Sequence, residues 1–347
     1  MENKIDNTIH THRQDQCPVC GSEGAILFTQ QEDRLFGASG KWDTAKCVNS
    51  TCQLLWLNPA PNKEDIGKAY LHYYTHQSGK TNILPFLYPI EKAYLDVRYG
   101  YNTEKSVAKK LLSYLIYLFP TERAEIDFSV LHLSANESGK LLDVGCGSGG
   151  FIQRMAQLGW EVYGIDFDPK AVDVCRQQGL NASVGDLFAQ HYPDNSFDVL
   201  VLNHVIEHIY DTSILVAECY RVLKNGGKLI IATPNTKSWM FNLKFKQNWF
   251  SLQPPGHLQL FNLSNLSAIL TQQGFSIAQG KTSIRNEFYV YAASKTIIKK
   301  GKFRMGYEKT GKRNILVGKV YQMITWLLLP VNKHAGGELY IKAVKKA

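Results

Sequence analysis

From Gly139 onward the apolar positions follow two alternating rhythms. The short runs "KLLDVG", "WEVYGID", "FDVLVLN" and "GKLIIATPN" have the length and composition of buried strands. Between them, "GGFIQRMAQLG", "DPKAVDVCRQQG" and "TSILVAECYRVLKNG" space their apolar residues as helices do. Pro169 sits near a helix start, and Gly159 and Gly179 at helix stops. "NASVGD" adds a short strand, "NLSNLSAILTQQG" a helix, and "FSIAQGKT" and "GELYIKAVKK" two more strands. This alternation predicts an α/β, doubly wound fold: an open, mostly parallel sheet covered by helices.

Upstream the pattern differs. Residues 1–16 are polar, "ILF" and "QLLWL" are strand candidates, and "NPAPNKEDI" reads as a turn. Pro89 to Phe119 is mainly helical, with Thr103 and Glu104 suited to a helix start. Residues 295–338 interrupt the strand–helix scheme.

The 347 residues, 44% hydrophobic and 20% charged, suit an ordinary globular protein. No apolar run reaches the roughly 18 residues of a membrane span, and "MENKIDNTIHTHRQDQ" lacks a secretory core. A cytoplasmic location is expected. The net charge of +9 is concentrated: Lys281 to Lys319 holds eleven Lys or Arg against Glu287 and Glu308. Without aromatic–basic interleaving, that run is no strong nucleic-acid signal. It leads into "NILVGKVYQMITWLLLPVNK", where Ile315, Val320, Ile324, Leu327 and Leu328 share a face if helical. Residues 295–330 are therefore a candidate for peripheral contact with an anionic inner membrane surface, or for covering the sheet or a homodimer partner.

Four of the seven cysteines, Cys17, Cys20, Cys47 and Cys52, form C-x2-C and C-x4-C pairs separated by 26 residues. Four thiolates satisfy a tetrahedral zinc ion without an open position, which makes a structural zinc the expectation and buried reduced thiols the alternative.

Asp143 to Gly150 reads "DVGCGSGG". Gly145, Gly147 and Gly150 satisfy G-x-G-x-x-G, and Asp166 ends the next strand, so a nicotinamide cofactor and an oxidoreductase have to be weighed. The acid two residues before the first glycine, and Gly149, are outside that fingerprint. With these residues the chain resembles the class I S-adenosylmethionine-dependent methyltransferases over about residues 139–295, above all the ubiquinone-biosynthesis O-methyltransferases and other small-molecule enzymes. The resemblance implies a seven-stranded methyltransferase sheet and S-adenosylmethionine as cofactor. It places Asp143 and the loop through Gly145, Gly147 and Gly149 at the methionine part and Asp166 at the ribose. Asp186, with Leu187 beside it, falls at the adenine amino group, Phe167 flanks the adenine, and Asn203 lies at the methionine end. An N-terminal cysteine module recurs in some sugar and natural-product methyltransferases, with counterparts of Asn58, Pro59, Pro61, Tyr73, Tyr74 and His76. The expected division is a zinc-ribbon-like module (1–62), a helical linker and substrate cap (63–138), the S-adenosylmethionine-binding core (139–295), and a basic amphipathic segment with the final strand (296–347).

His204, Glu207 and His208 spell H-x-x-E-H, a zinc-peptidase signature that needs a helix. Strand character runs up to Asn203 and the next helix is best started at Asp211 or Thr212, so the segment belongs to a crevice at the end of a strand. His204, Glu207 and His208, together with His257 in "QPPGHLQLF", are the candidate catalytic residues. His257 is the first choice of general base for O-methylation of a small molecule, and His204 the second. RNA and protein remain alternative acceptors.

Overall fold

The computed structural model describes residues 8–70, 84–305 and 307–346; Tyr73, Tyr74 and His76 lie outside them. At the N-terminus β1 (Thr11–His12) pairs with β5 (Ala60–Pro61). Between them β2 (Gly24–Gln31), β3 (Trp42–Cys47) and β4 (Leu55–Leu57) form an antiparallel sheet. Helices α1 (Tyr88–Tyr99), α2 (Val107–Leu112), continued by a 3-10 turn to Leu118, and α3 (Pro120–Ser129) follow. Thr103 and Glu104 do not start α2. Their backbone amides donate to the buried Asp96 carboxylate, and Ser106 caps the helix instead. A buried acceptor thus outcompetes the local capping preference.

The main sheet is built from β6 (Lys140–Val144), β7 (Glu161–Asp166), β8 (Asn181–Val184), β9 (Phe197–Asn203), β10 (Leu223–Pro234), β12 (Phe275–Ser283) and β13 (Glu338–Lys345). Its order is β12-β13-β10-β9-β6-β7-β8, and only β13 runs antiparallel to its neighbours. The predicted seven-stranded, mostly parallel sheet is present. Val199 to Leu202 and Leu229 to Ile231 are buried, as strands covered on both faces require. Helices α4 (Gly150–Gln157), α5 (Pro169–Gln177), α6 (Thr212–Val222) and α7 (Leu263–Gln272) make the crossovers. Asp211 caps α6 as expected, but the helix stops at Val222. Leu223 already pairs with Phe197, so "LKNG" is strand rather than helix.

The cysteine module is tied to this sheet. A two-residue strand, β11 (Gln259–Leu260), extends the module's sheet beside β4. Asn262 and Asn265 at the start of α7 both donate to the Cys52 carbonyl, at 2.8 and 2.9 Å. Trp56, Leu54 and Ala45 share one core with Leu266, Ile269 and Phe261.

Helix α8 (Glu287–Lys300), which the apolar pattern did not announce, runs into the interrupting segment, and α9 (Lys312–Leu328) lies within it. In α9 the expected apolar face is turned outward. Val320, Ile324 and Leu327 are exposed, while Gly318, Gln322 and Thr325 are buried. A Cβ at Gly318 would lie 2.4 Å from the Phe288 carbonyl oxygen, so close backbone approach decides which face packs. Gln322 then donates to the Ile284 carbonyl, and Thr325 accepts from the Trp239 indole. Among the described residues no helix is long and apolar enough to cross a membrane.

Candidate active site

The chain order reverses between β6 and β9, and the candidate residues gather at the carboxyl ends of these strands and their neighbours. After β6 the backbone turns through Gly145 and Gly149, at φ 77° and 83°. A Cβ at Gly145 would come within 2.6 Å of Val205, and one at Gly149 within 2.8 Å of Cys175. Both positions therefore require glycine. The Gly147 amide donates to the Asp166 carboxylate at 2.8 Å, which ties the loop to the end of β7.

Asp143 is buried, and among the described residues its Oδ1 has no hydrogen-bond partner. Burial, reinforced by the neighbouring Asp166 charge, pushes its pKa up to about 8. Burial also raises Asp166, although the Asp168 and Gly147 amides donate to its two oxygens. Asn203, the last residue of β9, likewise holds a buried, unpartnered Oδ1. Two acceptors buried without donors, beside a loop open to close backbone approach, fit the ammonium and hydroxyl groups of S-adenosylmethionine.

Asp186 is exposed, and one of its carboxylate oxygens accepts from the Ala189 amide. Leu187 is buried beside it. Phe167 is 59% exposed at the mouth of the site, its ring 5.6 Å from that of Tyr70.

The H-x-x-E-H segment is a tight turn rather than a continuous helix, and its two histidines separate. His204, at φ 55°, lies between Glu207 (3.2 Å) and Glu338 (2.8 Å). Its side chain is 44% exposed; desolvation by the surrounding protein opposes its charge, but the hydrogen bonds to Glu207 and Glu338 prevail and raise its pKa to about 10. Burial disfavours the Glu207 carboxylate, but the His204 bond overcomes this and draws its pKa down to about 2. Glu207 also accepts from the Thr233 hydroxyl at 2.9 Å. A protonated imidazole between two carboxylates has no lone pair to offer, which argues against His204 as a base.

His208 and His257 are different. Their rings meet edge to face at 4.7 Å. His208 Nδ1 lies 2.8 Å from the Gly256 carbonyl, and His257 Nδ1 lies 2.8 Å from the Ser251 carbonyl. Each Nδ1 therefore carries the hydrogen, and each Nε2 keeps a lone pair. Burial lowers both pKa values, that of His257 to about 3, so both rings are neutral. One ligand atom each from Glu207, His208 and His257 lies within 4.8 Å of the others, a donor set able to take a proton or a divalent cation. The Tyr70 hydroxyl reaches His208 Nδ1 at 3.0 Å and the Gly256 carbonyl at 3.2 Å.

Tyr70, Thr233 and Glu338 escaped the sequence reading. Thr233 had a usable signal, its place at the end of a strand adjoining β9. Glu338 had none, because it lies 134 residues from its partner His204.

Cys17, Cys20, Cys47 and Cys52 come together as expected, every sulfur within 4.8 Å of the others. Cys20 and Cys47 are 3.4 Å apart, and Cys17 and Cys52 are 3.8 Å apart. All four are free thiols. Their donor chemistry and convergence fit a tetrahedral zinc ion.

Residues 142–231 match the family model of the methyltransferase domain. This stretch is a methyltransferase domain. The chain is 32% identical over 139 residues to a probable S-adenosylmethionine-dependent methyltransferase of Mycolicibacterium smegmatis, covering 40% of this chain and 52% of that protein. It is 39% identical over 111 residues to the ubiquinone biosynthesis O-methyltransferase of Xanthomonas oryzae pv. oryzae, covering 30% of this chain and 46% of the relative. The chain thus spans about half the length of the curated relatives it matches. Among solved structures, a SAM-dependent methyltransferase from Archaeoglobus fulgidus aligns at 20% identity and a TM-score of 0.41, covering 60% of this chain and 86% of that one. The family match, residues 142–231, runs from β6 into β10, strands that pair in parallel.

Proposed function

We propose that the protein transfers a methyl group from S-adenosylmethionine to a small-molecule acceptor, most simply to a hydroxyl oxygen. The observation that carries this reading is the pair of unpartnered buried oxygens, on Asp143 and Asn203, at the glycine loop of a methyltransferase domain. When bound, S-adenosylmethionine supplies an electrophilic methyl group. Asp143 pairs with its ammonium group, the Asp166 carboxylate accepts from the ribose, and Asp186 with Phe167 borders the adenine.

Across from the loop, His257 accepts the proton of the acceptor hydroxyl at Nε2, the nitrogen not committed to Ser251. His208 and Tyr70 shape the same wall, and Glu207 holds the segment through His204 and Thr233. The naming of the Xanthomonas relative as an O-methyltransferase supports an oxygen acceptor. The cation-ready grouping of Glu207, His208 and His257 supports a second version, in which a divalent ion binds the acceptor oxygen. The test is methyl transfer from labelled S-adenosylmethionine to catechol-type phenols, with and without a chelator. Transfer that is unchanged by chelation and abolished in His257→Ala favours the base. No binding of S-adenosylhomocysteine by the wild-type protein would end the methyl-transfer reading.

In this reading the four cysteines hold structural zinc. The outward apolar residues of α9, beside Lys312, Arg313 and Lys319, rest on an anionic membrane surface.

A further inference from the structure

A cavity of about 340 Å³ opens at the seam between the cysteine module and the methyltransferase domain. Its walls carry Lys46 from β3 and Lys237 and Lys246 from the segment that follows β10. No Asp or Glu lines it, and none of these three lysines forms an ion pair among the described residues. The Lys237 ammonium donates to the side-chain oxygen of Gln53, a neutral acceptor that leaves its charge uncompensated. Burial, and then the nearby Lys46 charge, lower the Lys237 pKa, as expected where cations converge without a counter-ion. Phe28 and Phe241, edge to face at 6.3 Å, form an apolar wall of the same cavity.

The sequence does not announce this cluster, because Lys46 and Lys237 are far apart along the chain. Lys46 is half-buried in β3, between Ala45 and Cys47. Lys237 is fixed by Asn235, whose side chain accepts from the Lys237 amide and donates to the His334 and Gly336 carbonyls. Asn235 lies three residues beyond Ala232, whose carbonyl accepts from the His204 amide. Part of the cavity wall, Thr236 and Lys237, therefore follows the carboxyl end of β10, the strand that pairs with β9.

We infer that this cavity is an anion site that takes a phosphate or pyrophosphate group, with the phenylalanine wall against the body of the molecule bearing it. Three ammonium groups without a carboxylate match a dianion or higher, and the volume lies within the ordinary range for small-molecule sites. Phosphate of this kind comes either from a soluble phosphorylated metabolite or from a lipid headgroup. Use of the cavity as the acceptor's anchoring subsite rests on the methyl-transfer reading; the anion site itself does not.

The test is calorimetric titration of the full chain with inorganic pyrophosphate, alone and in the presence of S-adenosylhomocysteine. Saturable binding in the millimolar range or tighter is expected. Lys237→Met and Lys46→Met should each weaken it about tenfold or more, the loss of one charge-assisted contact. S-adenosylhomocysteine binding should remain unchanged in both, which also reports that they fold. Absence of saturable binding by the wild-type protein, or binding by both variants as tight as that of the wild type, overturns the inference. If pyrophosphate binds but S-adenosylhomocysteine does not, the anion site stands and the methyl-transfer reading fails. Vesicles of phosphatidylcholine with phosphatidic acid separate the two sources. Displacement of pyrophosphate by them supports a lipid headgroup, and binding untouched by them supports a soluble ligand.

Discussion

At Asp143 a carboxyl group lies in a dry setting beside a second acid, and it holds its proton up to about pH 8. Pairing with an ammonium group requires the carboxylate, so binding of S-adenosylhomocysteine at neutral pH should release a proton. Affinity should accordingly rise as the pH is raised towards about 8. Titration in buffers of different ionisation enthalpy counts that proton, and a count of zero would remove Asp143 from the role. The His204–Glu207 pair gives a second pH signature. His204 is raised from 6.5 to about 10, so its share of stability is complete below about 6.5 and lost as pH climbs through 10. Glu207 is lowered from 4.5 to about 2, so its share is present above about 4.5 and lost as pH falls through 2. Glu207→Gln should cost about 1–3 kcal/mol at neutral pH, because a buried acceptor set is left mismatched. Denaturant midpoints across pH would show the alkaline decline flattened in the variant. His257→Ala should lower kcat by roughly 10²–10⁴-fold if the ring takes the acceptor proton. Neutral down to about pH 3, His257 should also leave the kcat/KM profile without an inflection near 6.5.

Among the elements, α9 shows most clearly how periodicity and packing can disagree. The apolar positions predicted the helix, yet Gly318, Gln322 and Thr325 chose the inner face through one close backbone approach and two hydrogen bonds. The exposed residues include Leu316 at 66% and Leu327 at 65%, flanked by basic residues. Leu316→Ser with Leu327→Ser should abolish co-sedimentation with anionic vesicles at low salt without shifting the unfolding midpoint; retention of binding would discard the membrane contact. The strands of the main sheet were legible because burial on both faces leaves continuous apolar runs, such as Val199 to Leu202. The glycine loop and the cysteine pairs were legible because their chemistry is local in sequence. The partners of His204 and the three lysines of the seam were not, since each set is assembled from distant segments. Tyr70 gains its meaning only when its hydroxyl reaches Gly256, 186 residues away.

For the whole molecule, the cysteine module is a structural partner of the methyltransferase domain rather than a separate bead. It lends the domain a shared core, and it receives β11 in return. Removing one thiolate should therefore disturb more than the module. Cys47→Ser should lower the melting temperature and weaken pyrophosphate binding, since Lys46 is its neighbour on β3. Metal analysis of the wild-type protein should find about one zinc per chain, the capacity of a four-thiolate site. Zinc-free protein with an unchanged melting temperature would leave the four cysteines as packed thiols.

The two asparagines that grip the Cys52 carbonyl lie 210 and 213 residues farther along the chain. A ribosome adding roughly 5–20 residues per second makes that stretch in about 10–40 s. Once they have left the exit tunnel, the cysteines spend the rest of that interval with their docking surface not yet made. If the four thiols hold zinc as proposed, its capture by the nascent chain would race against oxidation, and a sulfur cluster already closed on the metal would enter the final fold as a finished part.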